Sequence, residues 1–394
     1  MKKMGSNKRS IACFCLVTIW GLMVSGVVAA ENKNTLTTLE ALADKIVTSI
    51  NERDPSAYCE AINFKALAQM AAKKMTDDAG QQKGFVTGFM SKSDNACKQM
   101  INTVQSTNGQ AKFLRIVRRE GRDRILVRLN LGDSGFDYIE FITRRNSKKQ
   151  YQAVDWYQLA AGQLMSDTIG SLAKLMIDPD PNFLKKLLGV QQIDKEVFSK
   201  IQSLIEYFRS HQYDTAYQAY FKLPSHIRNK RIMIIIGITV ASRTNDEEKY
   251  KKLLGILAKH YSDEPSAAFM LIDYYFYQKD WKQVLASVDA IESRFGADAM
   301  LELLRANVYL VSNDFKKLEL HANKAIMMEP DFADPYFSLS SGYINVGRFE
   351  DAIRIFDQLV ERFGYSFTRD NFQDDALYEE FVKSQAFANW EKMN

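Results

Sequence analysis

Between residues 197 and 366 the same apolar register returns every 34 residues, five times and without an insertion. Counted from Val197, Arg231, Pro265, Ala299 and Ala333, the eleventh position reads Tyr207, Ala241, Tyr275, Tyr309 and Tyr343. The seventeenth reads Tyr213, Glu247, Trp281, Phe315 and Phe349, an aromatic placed to wedge between two helices just after a turn. Position 20 is Ala216, Tyr250, Val284, Leu318 and Ala352, position 24 is Tyr220, Leu254, Val288, Ala322 and Phe356, and position 27 is Leu223, Leu257, Ile291, Ala325 and Leu359. Those three positions fall on one face of a helix. A period of this length is that of stacked helix pairs, each too small to bury its apolar face alone.

The array resembles tetratricopeptide repeats, most fully in its last unit, where Tyr336, Leu339, Tyr343, Gly347, Phe349, Ala352 and Phe356 match the pattern. Pro330 closes the fourth unit at the family's terminal proline position. Three positions depart from it: Glu247 replaces the aromatic, Gly237 sits inside a helix, where it costs about 1 kcal/mol relative to alanine, and Arg305 stands where leucine is usual. The resemblance implies a mainly α chain, with a five-repeat solenoid over 197–366 that binds a protein or peptide. In such repeats the first helices turn positions 2, 5, 9, 12 and 13 to the concave face. Here those positions include Phe269, Phe276, Tyr277, Leu303, Leu310, Phe337 and Ile344, the expected partner-binding residues, with Phe269 and Phe337 among the anchors. They lack the lysine and asparagine set by which some family members clamp a terminal carboxylate. An apolar or amphipathic partner segment fits this surface better. The competing occupant is the chain's own connector or N-terminal domain.

At the start, Lys2, Lys3, Lys8 and Arg9 precede an apolar run from Ile11 to Ala30. This is the pattern of a secretory signal, with cleavage expected after Ala30 and a periplasmic or otherwise exported mature chain. An uncleaved membrane anchor is the alternative, and membrane contact is expected only in that case. All four basic residues of the first 30 leave with the segment and no acid does, so 48 of the 52 Lys and Arg remain against 48 Asp and Glu. A neutral mature chain gives no reason to expect a nucleic-acid partner.

Residues 31–160 read as a small α+β domain. Thr37 and Glu40 are spaced as a capping box before a first helix, Asp54-Pro55 starts a second that runs to about Met70, Gly80 and Gly84 interrupt, and a third runs from Phe85 to Ser106. From Ala111 the period changes to strand alternation, and four candidate strands follow with turns at Gly121, at Gly132 to Gly135 and at Asn146 to Lys149. Helices followed by an antiparallel meander are similar to the nuclear-transport-factor-2-like group, which implies a pocket under a curled sheet. A small-ligand-binding protein is therefore the alternative to a scaffold. Residues 161–196 form a helical connector broken by Pro179 and Pro181, and 367–394, with Phe381, Val382, Phe387 and Trp390 on one helix, are expected to cap the last repeat.

Chemistry is sparse. Gly132-Asp133-Ser134-Gly135 is similar to the nucleophile loop of trypsin-like proteases, but all four histidines (His211, His226, His260, His321) lie downstream, and a hairpin turn is the reading. The histidines are scattered, no metal or cofactor motif is present, and no catalysis is expected. Arg118, Arg119, Arg122, Arg124 and Arg128 with Arg144, Arg145, Lys148 and Lys149 form either a basic rim for an anionic partner or a solvated strand edge. Cys59 and Cys97 are the cysteines left after cleavage, and export would oxidise them to one disulfide.

Overall fold

The computed structural model describes residues 37–132, 135–177, 180–372 and 376–392. Residues 1–36, with the expected signal segment and its cleavage position, and 133–134, 178–179, 373–375 and 393–394 lie outside them. The chain divides into two compact units between Tyr274 and Tyr275.

Five helices open the first unit, where the sequence pattern suggests three. Helix α1, Leu39–Asn51, is capped by Thr38, whose hydroxyl accepts from the Ala41 N–H at 3.1 Å. Helix α2, Pro55–Ala61, is capped by Asp54, which accepts from the Ser56 and Ala57 N–H groups. It stops at Ile62, whose extended backbone bridges Ala153, and Asn63 then caps α3, Phe64–Met75. The Asn63 N–H donates to the Ala153 carbonyl at 2.7 Å, so this break is imposed by a strand 90 residues away. Helix α4, Ala79–Met90, runs through Gly80 and Gly84, which therefore do not interrupt it, and α5, Ser93–Ser106, follows after a short break.

Strands β1 (Gln110–Arg119), β2 (Arg122–Asn130), β3 (Phe136–Arg145), β4 (Tyr151–Gln158) and the short β5 (Gln163–Leu164) pair antiparallel in sequence order. Glu120 and Gly121 both take positive φ, 50° and 75°, as a two-residue hairpin matching strand twist requires. One face of the sheet packs Ile125, Val127, Leu129, Ile139 and Phe141 against Leu42, Ile46, Tyr58, Leu67 and Ile101. The alternation is lost in β2, which is buried continuously from Arg124 to Leu129 because its second face is covered too.

Cys59 of α2 and Cys97 of α5 are joined by a disulfide, with their Cα atoms 5.6 Å apart and a sequence separation of 38. Closing a loop of that length restricts the unfolded chain by about 3 to 4 kcal/mol. Reducing the bond, or replacing both cysteines by serine, is expected to lower the urea unfolding free energy by that amount. An unchanged unfolding midpoint on reduction would reject the stabilising role.

After the sheet come α6, Met165–Ile177, and α7, Pro181–Leu188. The buried Asp155 carboxylate accepts from the Ser166 N–H at 3.0 Å and from its hydroxyl, tying β4 to the start of α6.

The repeats then follow on register. The first helices are α8 (Lys195–Arg209), α11 (Arg231–Ser242), α13 (Pro265–Tyr277), α15 (Ala299–Val311) and α17 (Asp334–Asn345). The second helices are α9 (Tyr213–Phe221), α12 (Glu247–Tyr261), α14 (Trp281–Phe295), α16 (Phe315–Met328) and α18 (Phe349–Phe363), with a short extra helix α10 (Ser225–Arg228) in the first repeat. Every second helix begins at position 17. Position 15 takes the left-handed conformation in all five units: His211, Asn245, Lys279, Asn313 and Gly347, at φ between 54° and 74°. In four of them the N–H of position 16 closes back onto the position 11 carbonyl (Gln212 to Tyr207, Asp280 to Tyr275, Asp314 to Tyr309, Arg348 to Tyr343), a Schellman-type stop. Asp246, Asp280 and Asp314 then cap the second helix, each accepting from the N–H three residues on. Apart from Tyr250, positions 20, 24 and 27 are buried throughout. Gly237 has a packing reason: a Cβ there would lie 2.9 Å from the Tyr220 ring.

The C-terminal segment adds two short helices, α19 (Glu379–Lys383) and α20 (Gln385–Glu391), where the sequence suggested one. Ser384 breaks them and caps α20. Phe367, Phe372, Phe381 and Trp390 surround Phe356 of α18 at centroid distances of 4.9 to 5.9 Å, and the Trp390 Nε1–H donates to Asp357 at 2.7 Å.

Candidate functional site

The seven residues proposed for the partner surface divide three ways. Phe269 of α13 is only 1 % exposed, its ring 5.1 Å from that of Phe136 on β3 and nearly perpendicular to it. Beside it, Arg231 of α11 donates to the Ser266 hydroxyl at 2.8 Å, and Gly162, just before β5, lies so close that a Cβ would meet both residues. The sheet's second face therefore covers this stretch of the first helices. Phe269 is withdrawn from the candidate surface for that reason. Leu303 and Ile344 are buried as well, Ile344 in the core of the last repeat, and serve packing.

Four positions remain half-exposed. Phe276 packs edge-on against Trp281 at 5.2 Å, and Tyr277 follows it at the end of α13. Leu310 is half-buried, and its neighbour Val311 is 45 % exposed. Phe337 of α17 meets Tyr365 at 5.0 Å and Phe367 at 6.3 Å, so the segment after α18 folds onto it. All four lie in the 275–394 unit, with Leu310 one 34-residue period after Phe276.

Part of the basic rim is paired within the sheet. Arg118 pairs with Asp123 at 3.0 Å, Arg119 and Arg124 both reach the buried Glu140 at 3.3 Å, Arg124 also holds Glu120, and Arg145 lies over the Tyr151 ring. Arg122, Arg144, Lys148 and Lys149 are exposed and outside these pairs, so the rim remains open to either reading, a solvated strand edge or a contact for an anionic partner. Among the described residues there is no group of three or more His, Cys, Asp or Glu that could hold a metal, and no helix long and apolar enough to cross a membrane.

Asp137 is a strongly perturbed carboxyl. Burial pushes it up to about 6, although the Gln158 side chain and the Ala160 and Tyr138 N–H groups donate to it and pull the other way. Its value in the unfolded chain is near 3.8. The folded protein thus holds a proton between about pH 4 and pH 6 that the unfolded chain does not. Through this group, stability falls as pH rises across that window, by up to roughly 3 kcal/mol, and is level above it. In Asp137→Asn the amide oxygen keeps both backbone donors and Gln158 turns its own amide. The unfolding free energy of the wild type relative to this variant is expected to drop between pH 4 and 6.5, and parallel pH profiles would show that the carboxyl stays ionised in the fold.

The sequence reading missed a second feature, an open groove of about 640 Å³ along α4. Gln81, Gly84, Phe85, Gly88 and Phe89 share its wall at spacings of three and four, with Met75 of α3 and Lys174 of α6 opposite. That spacing was visible, but the glycines masked it by reading as a break.

Antiparallel helix pairs with this register and turn define a tetratricopeptide-like fold preceded by a five-stranded antiparallel sheet. No family model matches the chain, and no curated protein matches it. Among solved structures it is similar to PilW, described as a widely conserved type IV pilus biogenesis factor, at 14 % identity and a TM-score of 0.34 over 51 % of this chain and 93 % of that one. It is also similar to the TPR2AB domain of yeast Sti1 in its pHSP90 complex, at 14 % identity and a TM-score of 0.23 over 58 % and 90 %. At such scores the fold assignment rests on the chain's own 34-residue register.

Proposed function

We propose that this chain is an exported, non-catalytic protein-interaction scaffold that holds an apolar or amphipathic segment of a partner protein on the first helices of its last repeats. The observation that carries the reading is apolar surface left open at the expected concave positions of the last repeats: Val311 is 45 % exposed, and Phe276, Leu310 and Phe337 are half-buried, whereas Phe269 is closed off by the chain's own sheet. Apolar positions exposed at a helix-pair repeat's recognition register suit a partner whose anchors bury them. Export is supported by the sequence of residues 1–30 and by the Cys59–Cys97 bond, which persists in oxidising compartments.

A photo-crosslinking residue placed at Leu310 is expected to trap a partner in the cell envelope, and one placed at Phe269 to trap none. The double substitution Leu310→Asp and Val311→Asp should weaken capture by roughly 2 kcal/mol or more, about thirtyfold in Kd. Equal trapping from Lys324, on the second helix of the same repeat, would move the site off this face. Intact mass tests export: the envelope protein should begin at Glu31, and retention of residues 1–30 would favour an anchor.

A further inference from the structure

Two phenylalanines at the same place in their repeats are met in the same way by the chain itself. Phe269 and Phe337 both hold position 5, in the third and fifth units. The Phe136 ring stands edge-on to Phe269, 5.1 Å away at 85°, and the Tyr365 ring stands edge-on to Phe337, 5.0 Å away at 88°. Each incoming ring has a second aromatic two residues on: Tyr138, 5.6 Å from Phe136, and Phe367, 6.1 Å from Tyr365. Neither pair comes from a helix. Phe136 and Tyr138 lie on one side of strand β3, and residues 364–368 run on from α18 without helix or turn to Thr368, whose backbone is extended at φ −127° and ψ 163°. Phe367 also reaches Phe337, at 6.3 Å, so rings i and i+2 approach the same side chain, as alternation along an extended backbone places them.

The open row belongs to the same face. Position 12, seven residues after position 5, lies about two helical turns further along one side of a first helix. It is Phe276 in the third repeat and Leu310 in the fourth, both half-buried, with Val311 exposed next to Leu310. Between Leu303 and Leu310, Asn307 accepts from the Ser338 hydroxyl through its Oδ1 at 2.6 Å, and its amide N–H groups have no partner among the described residues. They can donate to a backbone carbonyl laid along the row. An extended segment needs such a donor, because its backbone groups are not paired internally, whereas those of a helix are.

We propose that the segment held on this row is extended and carries two aromatic side chains two residues apart, packed on Phe276, Leu310 and Val311 as the chain's own pairs are packed on Phe269 and Phe337. The inference rests on the scaffold reading and narrows its partner. Spacing is the discriminating property. On a helix, residues i and i+2 project about 200° apart, so a helical partner would present anchors at i, i+3 or i+4 instead.

Fluorescence anisotropy of the full chain with labelled peptides tests this. The first probe copies residues 364–371; the second exchanges Ser366 and Phe367, which makes the two rings adjacent; the third inserts two alanines after Ser366, which gives the helical i, i+4 spacing. Saturable binding of the first is expected, at least about tenfold tighter than that of either other probe. Leu310→Asp with Val311→Asp should weaken it at least about tenfold. If that pair fails to fold by circular dichroism, Val311→Asp alone, at an exposed position, should weaken it about three- to fivefold. The proposal is overturned by an absence of saturable binding, by equal affinity for the first two probes, or by binding unchanged in both variants, which would put the peptide on Phe337 in place of the chain's own 364–368. Tightest binding of the third probe would replace it with a helical partner. Any of these results leaves the scaffold reading standing if a crosslinker at Leu310 still traps a partner. Spacing-selective peptide binding with no partner trapped would remove that reading and support the recognition rule.

Discussion

Phe269→Ala is expected to destabilise the 37–274 unit by about 3 to 5 kcal/mol and to leave partner capture intact. The ring is almost fully buried and stands edge-on to Phe136, so truncation opens a cavity at the join between sheet and helices and removes an aromatic pair. Phe136→Ala should be comparably costly, and the two together should cost less than their sum, by about 0.5 to 1.5 kcal/mol, because they lose the same contact. Urea unfolding of the two single variants and the double variant measures this coupling directly. From sequence, the same substitution would have been expected to weaken partner binding without loss of stability. A Phe269→Ala protein that unfolds like the wild type but no longer captures its partner would restore that expectation and would mean that the sheet leaves α13 in solution.

The two readings of Phe269 differ because position 5 of a repeat specifies where a side chain points and not what lies opposite. The 34-residue register was legible since it is local: the apolar spacing at positions 20, 24 and 27 and the aromatic at position 17 act within a single helix pair, whereas the left-handed turn at position 15 and the aspartate caps at position 16, though equally local, were not read from sequence. Covering of Phe269 depends on β3, more than 100 residues earlier, and no periodicity carries that. The same limit explains the N-terminal helices. Asp54-Pro55 announced α2, but its end at Ile62 follows from a bridge to Ala153. The four main strands were legible from alternation and turns. That β2 would be buried on both faces was not, since Arg124 and Arg128 look like solvent positions until β3 brings Glu140 within 3.3 Å of Arg124.

Glycine was read in one sense where the chain uses it in several. Gly347 marks the left-handed turn, as its place in the register suggests. Gly237 looked like a weakness in α11, yet it admits the Tyr220 ring, whose hydroxyl donates to the Arg228 carbonyl at 2.9 Å. Gly84 looked like a break and instead lies within a continuous helix, beside a groove. Propensity alone does not separate these cases, because the deciding contact is tertiary in each.

Arg305 is the departure from the repeat pattern with the largest energetic consequence. It occupies position 7 of the fourth repeat, where the third and fifth carry Leu271 and Leu339. Its guanidinium, nearly buried between helices, donates to Glu302 at 3.0 Å, to Asp289 at 2.7 Å and to Glu292, while the other Glu302 oxygen lies 2.6 Å from His321 Nδ1. Asp289 is mostly exposed and contributes little, whereas Glu302 is as buried as the arginine. Removing one charge of such a pair leaves the other without its counter-ion in a poorly solvated place. Arg305→Leu, although it restores the residue usual at this position, is therefore expected to cost about 3 to 5 kcal/mol. Adding Glu302→Gln removes the stranded charge and should recover at least half of that loss, since apolar packing commonly equals a buried ion pair once both charges are gone. Urea unfolding of the single and double variants is the measurement. A single variant within 1 kcal/mol of the wild type, or a double variant no better than the single, would show that the network is solvated and that Arg305 does not hold α14, α15 and α16 together.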